Sequence, residues 1–252
     1  GEVLRDVVPP GVLNVVAGGD ALGARMTAHP DIRKLSFTGS VATGRKVAES
    51  GAKNLARVTL ELGGNDAAIV LPDVNVKETA AKLFAGAFEN SGQVCIAIKR
   101  IYVHTDIATE LSDELAALAR AAKVGDGLTE GTELGPLNNA PQLERVSELV
   151  EEAVKAGATV RAGGKRLEGK GYFYAPTILT DVSDDMRIVS EEQFGPALPI
   201  LTYTRVVDAI ERANATPFGL GGSIWTSDLE RGTELAERLD TGTSWVNHSL
   251  AL

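Results

Sequence analysis

Short β-branched runs alternate with helical patterns along nearly the whole sequence, and that alternation leaves few folds open. Val12 to Ala17 (VLNVVA), Ile32 to Phe37 (IRKLSF) and Ala56 to Leu62 read as strands. Between them, Ala21 to Ala28 and the stretch after Ser40 to about Ser50 carry helical signals, with Asp20 and Ser40 as predicted caps and His29-Pro30 as the stop of the first helix. Strand, helix, strand, helix, strand, joined by right-handed crossovers, is half of a doubly wound parallel sheet, an α/β fold.

The pattern restarts after Asn65. Ala67 to Leu71 (AAIVL) reads as a strand, Val76 to about Asn90 as a helix with Leu83, Phe84 and Ala87 on one face, Arg100 to His104 as a strand and Ile107 to Lys123 as an amphipathic helix. A long loop from Gly125 to Pro141 leads to a helix over Leu143 to Ala156, a strand over Thr159 to Ala162 and a glycine-rich excursion up to Gly171. Strand segments follow around TILTDV and ALPILTY, then a helix over Val206 to Asn214, a strand over Gly221 to Trp225, a helix over Asp228 to Leu239 and a strand over Thr243 to Val246. The predicted domain boundary is Leu62-Gly63-Gly64, dividing residues 1–62 from residues 63–252, and clefts between α/β units are where small molecules bind.

Composition excludes several classes. The net charge is −9 and no basic cluster appears, so neither a nucleic-acid nor an anionic membrane surface is expected. No apolar run reaches about 18 residues and no signal-peptide pattern opens the chain, so no membrane span is expected and the expected compartment is the cytoplasm. One cysteine excludes an intrachain disulfide framework, and His29, His104 and His248 have no ligand spacing, so no metal is expected. The chain opens on Gly1 and closes on SWVNHSLAL, and both ends look cut.

Four places carry candidate chemistry. Cys95, in NSGQVCIAIK (Asn90 to Lys99), sits beside Gly92 at an abrupt change of periodicity, a junction that can expose a side chain; its plain alternative is an inert buried thiol. Glu61, in RVTLELGG, lies on the face of its strand shared by Arg57 and Thr59. Standing just before two glycines, it is either a carboxylate projecting into a cleft, fit to act as a base, or a solvated strand end. In FTGSVATG, Gly39 and Gly44 flank a strand-to-helix turn that could receive a phosphate or be an ordinary turn capped by Ser40. Glu191 and Glu192 precede Phe194-Gly195-Pro196, and an acid and an aromatic there suit a sugar hydroxyl and a flat heterocycle, or form a charged loop.

LELGG at Leu60 to Gly64, GQVC at Gly92 to Cys95, FTGS at Phe37 to Ser40 and EEQFGP at Glu191 to Pro196 resemble, in order and approximate spacing, the aldehyde dehydrogenase superfamily. PPGVLN at Pro9 to Asn14 and GTSWVN at Gly242 to Asn247 are similar to it too, so the resemblance runs essentially the whole chain. It implies a partial dinucleotide-binding, Rossmann-like domain over 1–62 and a catalytic domain over 63–252. The implied reaction oxidises an aldehyde to a carboxylic acid with NAD or NADP through a cysteine thiohemiacetal and a thioester. In that reading Cys95 is the nucleophile and its backbone N–H one oxyanion donor, while Glu61 activates the hydrolytic water. Gly39 and Ser40 face the pyrophosphate, Gly44 allows close approach, Glu192 holds the nicotinamide ribose, Phe194 lies against the nicotinamide, and Gly18, Thr38 and Leu62 are further cofactor contacts.

The resemblance is to a partial chain. The family's oxyanion Asn in a WNF-like motif and its ribose-binding Lys-Pro segment lie upstream of FTGS, and nothing before Phe37 matches either. The PFGG-like segment expected after WVN, and the tail that supports subunit contacts, are also unmatched; a homo-oligomer is expected of the full-length protein. Two other functions remain open on the sequence: a cofactor-independent thiol esterase using Cys95 and Glu61, and a non-catalytic fragment that keeps the fold and loses the cofactor.

Overall fold

The computed structural model describes residues 2–250. Its internal contacts separate at Leu62/Gly63 into two units, residues up to Leu62 and residues from Gly63 onward.

In the first unit α1 (Asp20–Thr27) leads to β1 (Lys34–Gly39), α2 (Val41–Ala52) and β2 (Arg57–Leu62). β1 and β2 pair in parallel, with Thr38 opposite Glu61 and Gly39 opposite Leu62. Ser40 caps α2 as the sequence predicts: its backbone is extended and its Oγ accepts from the Thr43 N–H at 3.2 Å. Gly44, Val47 and Gly51 are the buried residues of the helix face that meets the strands.

Two predictions fail here. The run Val12 to Ala17 forms no strand: no described strand offers it a ladder, and Val12, Val15 and Val16 are 67, 72 and 64% exposed. Being β-branched suits residues to a pleated surface, but a strand exists only through a hydrogen-bonded neighbour. The described part of this unit is therefore a two-stranded sheet rather than a three-stranded half. Asp20 is also not a cap. It stands inside the first turn of α1 behind Gly19, where a carboxylate helps through the helix dipole instead.

The second unit is an open seven-stranded sheet. In chain order its elements are β3 (Asp66–Val70), α3 (Val76–Phe88), β4 (Ile98–His104), α4 (Ala108–Ala121), α5 (Ala140–Lys155), β5 (Thr159–Ala162), β6 (Thr177–Thr180), α6 (Arg187–Ser190), β7 (Ala197–Tyr203), α7 (Val206–Asn214), β8 (Gly221–Trp225), α8 (Leu229–Ala236) and β9 (Thr243–Val246). The strand order is β5-β6-β7-β4-β3-β8-β9, and every pairing is parallel except β5 with β6. Both faces are covered, which is why β3 reads as a continuous apolar run. Ala68 and Val70 join the core built with Leu83 and Ala87 of α3 and Leu111 and Leu115 of α4. Ala67 and Ile69 join the opposite core, with Val146 and Leu149 of α5, Ile210 of α7 and Leu235 of α8.

This order positions the site. β7, β4 and β3 are adjacent and parallel at the centre of the sheet, so the segments that enter their amino ends come together at one end of its strands. Those segments are Glu191 to Pro196, Asn90 to Ala97, and Gly63 to Asn65.

Candidate active site

α3 ends at Phe88 because the chain turns left-handed: φ is 49° at Asn90, 57° at Ser91 and 73° at Gly92. Consecutive left-handed residues of ordinary chirality are strained, so they persist only where surroundings hold them. Ser91 Oγ donates to the Gly135 carbonyl at 2.8 Å. Gln93 Nε2 donates to the carbonyls of Asn90 (3.1 Å) and Pro136 (3.2 Å), and its Oε1 accepts from Asn138 N–H at 2.8 Å. Gly92 carries a second constraint: a Cβ there would stand 2.4 Å from the Gly195 carbonyl oxygen. Out of this braced bend comes a turn closed by Ala97 N–H to the Val94 carbonyl at 3.1 Å, and Cys95 sits on it, half-buried with a free thiol.

The turn is held from beneath by Lys99. Its side chain is only 2% exposed, and Nζ donates to the carbonyls of Val94 at 2.7 Å, Cys95 at 3.3 Å and Ala97 at 3.3 Å. The same ammonium lies 3.8 Å from Glu192 Oε1 and 5.9 Å from the centre of the Phe194 ring. Burial pushes Lys99 below the ordinary lysine value, with Glu192, Asp66 and Cys95 pulling the other way. Burial likewise pushes the Glu192 carboxyl up, against the opposing pull of Lys99 and of the Gly64 N–H, which donates to Oε1 at 3.1 Å.

The segment carrying Glu192 and Phe194 is fixed by α5. Gln142 Nε2 donates to the carbonyls of Gln193 at 2.7 Å and Phe194 at 2.9 Å, and Arg145 Nη2 to the Glu192 carbonyl at 3.0 Å. These bonds offset the cost of a bulky residue at φ 48°, the value at Phe194. Buried Gln193 ties the two loops together by donating to the Lys99 carbonyl at 3.3 Å and to the Ile188 carbonyl. The glycine pair Gly63-Gly64 makes room for this cluster: an added Cβ would meet the Glu192 carboxylate at Gly63 and the Cys95 carbonyl, 2.8 Å away, at Gly64.

Cys95, Glu192 and Phe194, all predicted from the sequence, are thus gathered in the second unit. The remaining candidates lie in the first. Glu61 is exposed near the end of β2, opposite Thr38. Thr38, Gly39 and Ser40 are exposed at the turn into α2. Gly44 is buried, and a Cβ on it would stand 2.5 Å from Leu62 Cδ2, so within this unit the glycine serves close helix-to-strand packing. Gly18 precedes α1 next to Leu22. Sequence reasoning missed Lys99, Gln142, Arg145 and Gln193. For Lys99 a signal existed: a charge inside the apolar run from Cys95 to Val103 must be paired or solvated, and the strand pattern leaves it no route to water.

Asp66, at the head of β3, is 3% exposed. Its Oδ1 accepts from Gly221 N–H at 3.2 Å, while Oδ2 has no hydrogen-bond partner among the described residues. Burial pushes its carboxyl from 3.8 up to about 7, despite Lys99 and Arg100 nearby. Because the folded value is the higher one, the folded state holds this proton where the unfolded chain releases it. The group's stabilising contribution is therefore whole below pH 3.8 and is lost as pH rises toward about 7. Asp66→Asn is expected to flatten that decline, worth on the order of 4 kcal/mol at most. Urea midpoints from pH 4 to pH 8 check it, and a variant that keeps the wild-type slope would refute the assignment.

Among the described residues, an α/β sheet carries Cys95, half-buried, on a braced turn at the amino end of its central strand, beside the buried Lys99 and the Glu192 carboxylate. The chain matches the aldehyde dehydrogenase family over residues 1–252 and belongs to that family. It is 42% identical over 253 residues to the chloroplastic betaine aldehyde dehydrogenase of Beta vulgaris, covering 99% of this chain and 51% of that one. Among solved structures, the NAD+ complex of an aldehyde dehydrogenase from Bacillus cereus matches with a TM-score of 0.89 and 41% identity, over 91% of this chain and 47% of that one. A structure described as an E. coli NADP-dependent enzyme matches with a TM-score of 0.94 and 37% identity, over 99% of this chain and 52% of that one. The chain spans about half the length of the curated relatives it matches.

Proposed function

We propose that the protein oxidises an aldehyde to a carboxylic acid with NAD or NADP, using Cys95 as nucleophile and Glu61 as general base. The observation that carries this reading is the placement of the chain's one cysteine, half-exposed on a turn whose backbone is fixed from three directions. Its relatives support it: one is a betaine aldehyde dehydrogenase, one solved neighbour is an aldehyde dehydrogenase in complex with NAD+, and another is an NADP-dependent enzyme.

The residues present fit a dinucleotide. α2 opens at exposed Gly39 and Ser40, and the first N–H groups of a helix have no partner within it and favour an anion. Gly39 and Ser40 are assigned to the pyrophosphate, with Thr38, Gly44, Leu62 and Gly18 as supporting positions. Glu192 is assigned to the nicotinamide ribose and Phe194 to the nicotinamide ring. Bound NAD or NADP supplies the acceptor for the hydride that leaves the substrate carbon. The Cys95 thiolate forms a carbon–sulfur bond to the aldehyde carbonyl carbon, and the Cys95 N–H donates to the oxygen that becomes anionic. After hydride departure the carbonyl re-forms as a thioester. Glu61 then takes a proton from water, whose oxygen attacks the thioester carbon; the carbon–sulfur bond breaks and the sulfur leaves as thiolate. The substrate belongs to the aldehydes, and a homo-oligomer is the proposed assembly of the full-length protein.

Glu61→Gln is expected to separate the two halves of this reaction. Cys95 should still acylate, and the thioester should persist, with turnover falling about 10²- to 10⁴-fold, the usual contribution of a general base. Intact-mass measurement after mixing with aldehyde and NAD should show the acyl group on Cys95. Unchanged steady-state turnover in this variant would remove Glu61 from the mechanism.

A further inference from the structure

We propose that Lys99 is a positioning residue that ties the Cys95 turn to the Glu192 carboxylate, so that one buried ammonium sets both the nucleophile and the group assigned to the nicotinamide ribose. The inference rests on the dehydrogenase reading for the role of Glu192, but not for the position of Cys95.

A lysine buried to 2% exposure is costly unless every proton of its ammonium is used. Here three backbone carbonyls, those of Val94, Cys95 and Ala97, surround Nζ, and all belong to the turn that carries the thiol. The nearest counter-charge on the other side is Glu192, at 3.8 Å. That carboxylate is itself bonded to Gly64 N–H, and Gly64 approaches the Cys95 carbonyl so closely that no side chain fits between them. The Lys99 backbone completes the loop of contacts, since its carbonyl accepts from Gln193, the residue between Glu192 and Phe194. Turn, ammonium, carboxylate and glycine therefore form a closed ring of interactions. If Glu192 shifts to bind a ribose hydroxyl, Lys99 loses its counter-charge, and the three carbonyls it holds are the ones that fix Cys95. Occupancy of the ribose position and placement of the sulfur are coupled through this side chain. The attraction between the ammonium and a Cys95 thiolate acts in the same direction.

The test is a double-mutant cycle with Lys99→Met and Glu192→Gln in the intact protein. Each single variant is expected to raise KM for NAD about tenfold and to slow alkylation of Cys95 by iodoacetamide about tenfold, a size typical of contacting pairs. The double variant is expected to be no worse than either alone, because both changes cut the same link. A lysine that merely fills space would give additive losses, and additivity overturns the proposal. Lys99→Arg keeps the charge and should recover part of both effects; if it behaves as Lys99→Met does, the proposal also fails. Should Lys99→Met not fold, Glu192→Gln alone decides the matter: its own bonds are to Gly64 and Lys99, so an unchanged alkylation rate at Cys95 overturns the coupling. Alkylation needs neither aldehyde nor turnover and has one cysteine to report on in this sequence. Loss of all NADH formation in the wild type would therefore sink the dehydrogenase reading while leaving the coupling measurable.

Discussion

Cys95→Ala is expected to abolish NADH formation with aldehydes, by at least about 10⁴-fold, while leaving the fold intact. The size follows from what is removed. The substrate carbon expels a hydride only once a nucleophile has made it tetrahedral, and nothing in the turn around Cys95 offers a second attacking atom; removal of an enzyme's nucleophile costs roughly 10⁴- to 10⁶-fold. The fold should tolerate the change, because the thiol is half-exposed and the turn is held by backbone carbonyls that alanine retains. Cys95→Ser keeps an attacking oxygen but one far less acidic than a thiol, so it should resemble the alanine variant near neutral pH. NADH absorbance and a thermal melt on the same samples provide the check. Full activity in Cys95→Ala would mean that another residue attacks the aldehyde.

Gly92→Ala should produce the largest loss of stability of any single change near the site, about 3 kcal/mol or more. Two costs combine. At φ 73° a side chain costs about 1–2 kcal/mol, and the new methyl carbon would lie 2.4 Å from the Gly195 carbonyl oxygen. A backbone atom cannot swing aside like the end of a flexible side chain, so either the Asn90 to Gly92 bend or the Gln193 to Gly195 segment must move. Movement of either shifts Cys95 or Phe194, and a displacement near 1 Å costs about 100-fold in rate. Urea unfolding and kcat of the surviving folded fraction separate the two consequences. A variant as stable and as fast as the wild type would show that the bend does not constrain the nucleophile.

What the sequence made legible follows from which interactions are local. Strands Thr159–Ala162, Ala197–Tyr203, Gly221–Trp225 and Thr243–Val246 and helix Val206–Asn214 fall at the predicted limits, because apolar periodicity and flanking turn residues are written into a few consecutive positions. The Ser40 cap was readable for the same reason. Val12 to Ala17 was misread because its local signal is sound and the missing ingredient, a pairing neighbour, is not local. The site divides in the same way. Cys95, Glu192 and Phe194 were singled out by motif, but strand order brings their loops together, and no local pattern encodes that β7, β4 and β3 lie side by side. Lys99 was overlooked because its partners are carbonyls of its own turn, which carry no residue-type signature, and a carboxylate 93 positions away.

The last consequence comes from the strand that runs against the others. β5 borders the large sheet with four residues, its register with β6 slips between Val160 and Ala162, and Arg161 at the slip pairs with Asp113. A kinked, charged margin of that length offers a poor template to a stray extended chain. At β5, therefore, edge-to-edge self-association of the large unit is expected to be disfavoured. Straightening that margin, by deleting the extra residue or neutralising Arg161, is the change through which insolubility would enter.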